Sequence, residues 1–437
     1  MAIYTKEEAR KIMEKALSYS KSDTCEISLS GSDSGNIRYA RNTVSTSGSR
    51  SNQSLAVTAS YGKRSGSATI DEFDDASLEK VVRRAEELAK LSPENPEYMA
   101  PLGAQSFDEP VTFVEATANI KPEYRAQVAA SSIKPAAQKD VTAAGFLNDS
   151  AGFRSILNSN GLFAYNKFTD VDFTVTMRTN DGTGSGWVTR DFNDIRKFNA
   201  DEAAKVAIDK AVMSREARAI EPGKYTVILE PAASVDLLNN MRGAFNARTA
   251  DEGRSFMSRD GGTKLGQKIV DERVNIYSDP LHPEVPTSTW NGEGMPLKKT
   301  TWIENGVVKN LAYSRFWAQK QGVEAVPFPP NFIMDGGSAS LQDLIKGTKR
   351  GILVTRLWYI RSVDPQTLLY TGLTRDGTFY IENGQIRYPV KNFRFNESPI
   401  IMLNNLEELG QQVRVGGSLI PYMKIRDFTF TSLSDAV

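Results

Sequence analysis

Phe379-Tyr-Ile-Glu-Asn-Gly-Gln-Ile-Arg-Tyr-Pro-Val390 reads as an aromatic strand, a tight turn and a second strand. Asn383-Gly384 suits a type I′ turn, whose two central residues both need positive φ, so the flanks should pair as an antiparallel hairpin. The same Ile-Glu-Asn-Gly recurs at Ile303 to Gly306, between Thr300-Thr-Trp-Ile and Val307-Val-Lys. The chain beyond Asp260 is rich in Gly, Pro and short strands, and with these two hairpins it predicts a mostly β C-terminal domain.

Upstream of that region, Lys224-Tyr-Thr-Val-Ile-Leu-Glu reads as a strand and Ala232 to Phe245 as a helix broken or ended near Gly243. Glu221-Pro-Gly marks a boundary between a domain of residues 1–221 and one of residues 222–437. In the first domain, Thr5 to Ser20 places Ile12, Met13, Ala16 and Leu17 at helical spacing, and Thr5 can cap that helix with Glu8. Alternating runs from Cys25 to Ile70 predict antiparallel strands, and Asp75 to Leu91 predicts a helix that stops before Pro93.

The pattern then repeats. Pro122 to Lys139 reads as a helix that Pro135 should disturb, Val141 to Arg178 as strands around an Asn158-Ser-Asn-Gly turn, and Asp201 to Ala217 as a helix. Strands followed by a helix thus occur twice, which suggests a degenerate internal duplication. The expected fold class is α+β in two domains, an N-terminal antiparallel sheet with flanking helices followed by a β-rich domain.

A chain of 437 residues exceeds the usual single-core limit, in keeping with two domains. Lys plus Arg equals Asp plus Glu at 53 each, so no net field gathers nucleic acid or an anionic membrane, and direct nucleic-acid binding is not expected. Glu7 and Glu8 stand where a signal peptide would begin its apolar run, and no stretch approaches the roughly eighteen apolar residues of a membrane span, so a soluble cytoplasmic protein is expected. Cys25 is the single cysteine and His282 the single histidine, so Ser-His, Cys-His and multi-histidine metal chemistry would all have to pass through one imidazole.

The hairpin of residues 379–390 closely resembles a segment of TldD/PmbA proteins. Further blocks agree: Gly347-Thr-Lys-Arg-Gly-Ile-Leu-Val-Thr before Val363-Asp-Pro, Asn291-Gly-Glu-Gly-Met-Pro, and Gly417-Ser-Leu-Ile-Pro-Tyr-Met-Lys-Ile. The ending is nearer the PmbA/TldE members, whereas Gly261-Gly-Thr-Lys-Leu-Gly-Gln-Lys-Ile is nearer TldD. The resemblance implies two α+β domains, a dimer through the C-terminal domains and, in the TldD member, a zinc protease acting on unfolded peptides in an enclosed channel. That member's zinc site uses a His-Glu-x-x-x-His helix and a C-terminal cysteine, the glutamate acting as base.

Here the corresponding helix reads Ser234-Val-Asp-Leu-Leu-Asn-Asn-Met-Arg-Gly-Ala. By that match Asn239 and Ala244 stand at the two histidine positions, Asn240 at the glutamate and Gly416 at the cysteine, so no metal, no cofactor and no catalytic residue is expected. The resemblance therefore implies a metal-free TldE/PmbA-type subunit. It would pair with a TldD-like zinc metallopeptidase, through an interface of roughly 2,000 Å² or more that the hairpins at Ile303 to Val308 and Phe379 to Val390 could frame. The alternative is a homodimeric peptide-binding or scaffolding protein.

Other features have bland readings. His282 in Asp279-Pro-Leu-His-Pro-Glu reads as a loop imidazole, Cys25 as a core or edge residue, Asp260-Gly-Gly and Asp335-Gly-Gly as Asx-type turns, and Gly182-Thr-Gly-Ser-Gly-Trp as a turn rather than a phosphate loop. Asn239 and Asn240 can be polar residues of a helix surface. Phe328, Pro329, Pro330 and Phe332 form an aromatic and proline cluster that could line a peptide groove or serve core or interface packing.

Overall fold

The computed structural model describes residues 3–434. Helix α1 (Lys6–Ser18) opens with the expected capping box: the Thr5 hydroxyl accepts from the Glu8 N–H at 3.2 Å and the Glu8 carboxylate from the Thr5 N–H at 2.8 Å. Strands β1 (Thr24–Ala40), β2 (Thr43–Tyr61) and β3 (Arg64–Ile70) follow, then α2 (Asp75–Leu91). After a single turn, α3 (Glu115–Ala118), come α4 (Pro122–Gln138), β4 (Val141–Asn158), β5 (Phe163–Thr179), β6 (Ser185–Phe192) and α5 (Ala200–Met213).

The six strands form one antiparallel sheet in the order β3-β2-β1-β4-β5-β6, so β1 and β4 meet at the centre. Each half is helix, three strands, helix. Gly66 on β3 and Gly186 on β6 occupy equivalent places: a Cβ on either would come within 2.2 Å of backbone, at Ala89 N of α2 and at Ala207 O of α5. Only glycine lets strand and helix approach so closely, and in the second half Gly184, just before β6, meets the Ala211 carbonyl of α5 in the same way at 2.3 Å.

Helices cover one face only. Ile27 and Leu29 of β1 pack with Met13, Leu78 and Val82, while Phe173 and Val175 of β5 pack with Val128, Ala203 and Ala207. Because side chains alternate along a strand, the even-numbered residues of β1, β2, β4 and β5 fall on the opposite, largely polar face.

Two helix ends differ from expectation. α4 runs through Pro135 to Gln138, since a proline in the last turn costs one intrahelical bond while Val128, Ala129, Ser132 and Ala136 keep the helix packed. α5 stops at Met213 rather than Ala217, because the Ser214 hydroxyl is drawn into β6, accepting from the Ser185 N–H and donating to its carbonyl, both at 2.9 Å.

The second half is built on a thirteen-stranded sheet. Its centre is β7 (Gly223–Leu229), parallel to Arg350–Val354 on one side and antiparallel to Ser418–Leu433 on the other. Both Asn-Gly hairpins are strands of this sheet, with Asn305 at φ 50° and Asn383 at φ 50° followed by Gly306 and Gly384, also at positive φ. Helix α6 (Pro231–Arg242) packs Leu237, Leu238 and Met241 into the core beneath the sheet.

Candidate functional site

Pro231 starts α6 at its first turn, and the residues left out of the core form a polar stripe. Asp236, Asn239 and Asn240 are spaced i, i+3, i+4, so all three emerge on the exposed side of the helix. They line a cavity of about 520 Å³ together with Gly416, Trp187 of β6 and Arg356. The same cavity is bounded by Trp358 and Tyr359, both exposed. Tyr359 holds φ 54° within a register shift between Trp358 and Arg361, a bulge that turns its ring outward.

Charge in the cavity is mixed. Arg356 stacks on Trp187 with its guanidinium carbon 4.0 Å from the ring centroid and pairs with the buried Asp376 at 2.5 Å. Asp236 is exposed to the cavity but hemmed by its walls, and this desolvation raises its pKa, opposed in part by Arg356.

Strand β6 joins the cavity to the rest of the molecule. Ser185 donates to Asp376 at 2.5 Å. Asp191 accepts from the Gly416 N–H at 2.7 Å, the Gly417 N–H at 3.0 Å and Arg414 Nε at 2.9 Å. Gly416 and Gly417, at φ 55° and 67°, are the turn between Leu406–Val415 and Ser418–Leu433, so the carboxylate of one sheet caps the hairpin turn of the other. Lys210 of α5 adds an ion pair to Glu230, the residue before α6, at 2.7 Å and with both partners largely buried.

Of the four positions taken from the metal-site resemblance, Asn239, Asn240 and Gly416 meet in this cavity. Ala244 does not line it: the chain tightens into a 3₁₀ turn at Gly243–Phe245, which puts Ala244 into the core. Of the groove candidates, Phe332 is fully buried in the C-terminal core and Pro329 is buried, Pro330 is half-buried, and Phe328 is exposed. The four side chains thus do not share one open wall. His282 is a half-buried loop residue whose Nδ1 accepts from the Glu284 N–H at 3.3 Å. Cys25 lies in the core, where burial pushes its thiol up to about 11.

Asp191 and Arg356 carry no signal in the sequence, because each acts across the seam between two sheets; Trp187 closes the Gly182-Thr-Gly-Ser-Gly-Trp stretch read as a turn, but from Ser185 on that stretch is strand β6, which carries the ring to the cavity. Asp236 could have been: its spacing to Asn239 and Asn240 marks one helix face.

The cavity lies in a two-sheet α+β architecture, walled by the helix after β7 and by the last hairpin. A family model described as PmbA/TldA metallopeptidase C-terminal domain matches residues 222–432. Those for domain 1 and the central domain match residues 25–89 and 101–215, parting between the two halves of the first sheet. The chain belongs to the PmbA/TldD family.

It is 22% identical to Metalloprotease PmbA of Escherichia coli O157:H7, covering 96% of this chain and 97% of that one. It is 19% identical to the Metalloprotease PmbA homolog of Haemophilus influenzae, covering 85% of each. Its fold is similar to TldE from Thermococcus kodakarensis, with a TM-score of 0.88 at 20% identity over 97% of this chain and 99% of that chain.

The family description raises the question of a metal. The cavity offers two carboxamides, one carboxylate and a guanidinium, with no imidazole or thiolate on its wall. Among the described residues no group of three or more His, Cys, Asp or Glu is placed to hold an ion. Zinc takes thiolate, imidazole and carboxylate ligands, and a neighbouring guanidinium repels it, so these residues do not fit the ion.

Proposed function

We propose that this chain is a non-catalytic, metal-free subunit of TldE/PmbA type. It pairs in the cytoplasm with a TldD-like zinc metallopeptidase and supplies part of the wall of a chamber for unfolded peptide. The observation that carries the reading is the cavity of Asp236, Asn239, Asn240, Arg356 and Gly416, which keeps the shape of a site and lacks its metal donors. Exposed Trp358 and Tyr359 beside it supply aromatic surface of the kind that anchors a partner or a peptide. No helix among the described residues is long and apolar enough to cross a membrane.

Sedimentation of the pure chain, alone and mixed with a TldD-like homologue, tests the pairing. A mixed two-subunit species with protease activity absent from the pure chain is expected. A stable homodimer that ignores every such homologue would favour the scaffolding alternative, and about one zinc per chain after dialysis would overturn the metal-free reading.

A further inference from the structure

The helix-free face of the first sheet carries a second and larger cavity, of about 690 Å³. Register fixes its floor. Ser54, Ser30, Arg154 and Asn166 lie side by side across β2, β1, β4 and β5, and the next row is Asn52, Ser32, Gly152 and Phe168. Ser150 and Asp170 continue the floor, and Thr287 and Ser288 of the second domain close one side. Gly152 is required here: a Cβ would come within 2.7 Å of the Phe168 ring, which lies across this position.

Among the described residues, Arg154 is the only cation lining this cavity. Its guanidinium rests on the ring of Trp290, 5.1 Å from the centroid, and among the described residues no carboxylate pairs with it. Arg154 is exposed to the cavity, its charge held on an aromatic face and its N–H donors unspent on any carboxylate among the described residues, and partial desolvation lowers its pKa. Apart from the Asp170 carboxyl, the rings of Phe153 and Phe168 and Pro286, the side chains of the lining are hydroxyls and carboxamides, including Asn52, Gln53, Asn166 and Asn193, which match the donors and acceptors of peptide groups.

We propose that this cavity binds the terminal carboxylate of an extended peptide, with Arg154 as its anion ligand. A single guanidinium matches a monoanion. A phosphate dianion would face the same single cation and the Asp170 carboxyl of the floor, itself close to Asp172 and Asp191, whereas a carboxylate brings half that charge to them. The cavity is distinct from the one beside α6: it shares no lining residue with it. The inference rests on the peptide-binding part of the proposed function and not on the partner, so it is tested on the pure chain.

The probe is an N-terminally fluorescein-labelled hexapeptide of alternating alanine and serine, as free acid and as C-terminal amide, followed by fluorescence anisotropy. The free acid should bind roughly ten- to a hundredfold tighter, the range of a charge-assisted hydrogen-bond pair. That preference should vanish in Arg154→Gln, persist in part in Arg154→Lys, and fall in Asn52→Asp, which adds a like charge at an exposed strand position. Equal binding of acid and amide, or a preference unchanged in both Arg154→Gln and Asn52→Asp, overturns the proposal. Acetate displacing the acid at matching carboxylate concentration would assign the site to free small carboxylates instead, and inorganic phosphate competing better than acetate would overturn the choice of anion. Loss of pairing with a TldD-like homologue leaves these readouts unmoved, so the two readings fail separately.

Discussion

Asp191→Asn is expected to loosen the hairpin turn at Gly416 and Gly417 without unfolding the chain. The wild-type carboxylate uses both oxygens: Oδ1 accepts from Gly416, and Oδ2 accepts from Gly417 and from Arg414 Nε. Asparagine keeps the size but has one acceptor oxygen, so its NH₂ must confront either one glycine N–H or the other together with Arg414. Arg414, about 10% exposed at its side chain, retains Asn193 Oδ1 at 2.8 Å and the Glu284 carbonyl as partners. Those contacts soften the roughly 3–5 kcal/mol expected when a buried ion pair loses one member. A loss of about 2–3 kcal/mol follows, near the upper range for hydrogen bonds to a charged group.

The assay is amide hydrogen exchange over residues 414–419. Local opening should become easier by that amount, which is a rise in exchange of roughly 30- to 160-fold at these amides. A double variant with Arg414→Gln should lose less than the sum of the two singles, because the pair is then removed together. Exchange within threefold of wild type in Asp191→Asn would refute the reasoning, and would mean that the turn holds its place through backbone geometry alone.

Asp170 is pushed up to about 7 by burial first, and then by Asp172 and Asp191. The folded state therefore keeps a proton that the unfolded state has lost, so stability should fall as pH rises from about 4 to 7 and level off above that. Asp170→Asn should remove about 1–3 kcal/mol of that fall, read as a smaller drop in Tm between pH 5 and pH 8; an identical drop in both proteins would contradict it. Gly186→Ala should destabilise by roughly 1–3 kcal/mol, because its Cβ meets the backbone of α5 rather than a side chain that can turn away, and a thermal melt unchanged from wild type would contradict this. Cys25, buried and with its thiol pushed up to about 11, should react with a disulfide reagent only as the chain unfolds; labelling of the folded protein within minutes at pH 8 would count against the packing around β1.

Local physics made much of the fold readable in the sequence. The Thr5–Glu8 capping box, the apolar spacing of α2 and the two Asn-Gly turns are determined by residues within a few positions of each other, and they recur in the structure at the expected places. So did the repeated order of strands and helix, because periodicity is a local property. Ends set by distant partners were not readable: α5 stops at Met213 because Ser214 is bonded to Ser185, a residue 29 positions away.

The cavity beside α6 divides in the same way. That Asp236, Asn239 and Asn240 share a face follows from 3.6 residues per turn, and so belongs to the sequence. That they face Trp187, Arg356 and Gly416 was decided only by tertiary structure, since β6 and the last hairpin are brought together by Asp191 over 225 residues. Arg154 is the extreme case. Its neighbours Ser30, Ser54 and Asn166 are set by strand register, and a shift of one residue would send its side chain to the helix-covered face, so no reading of its own segment could have found it.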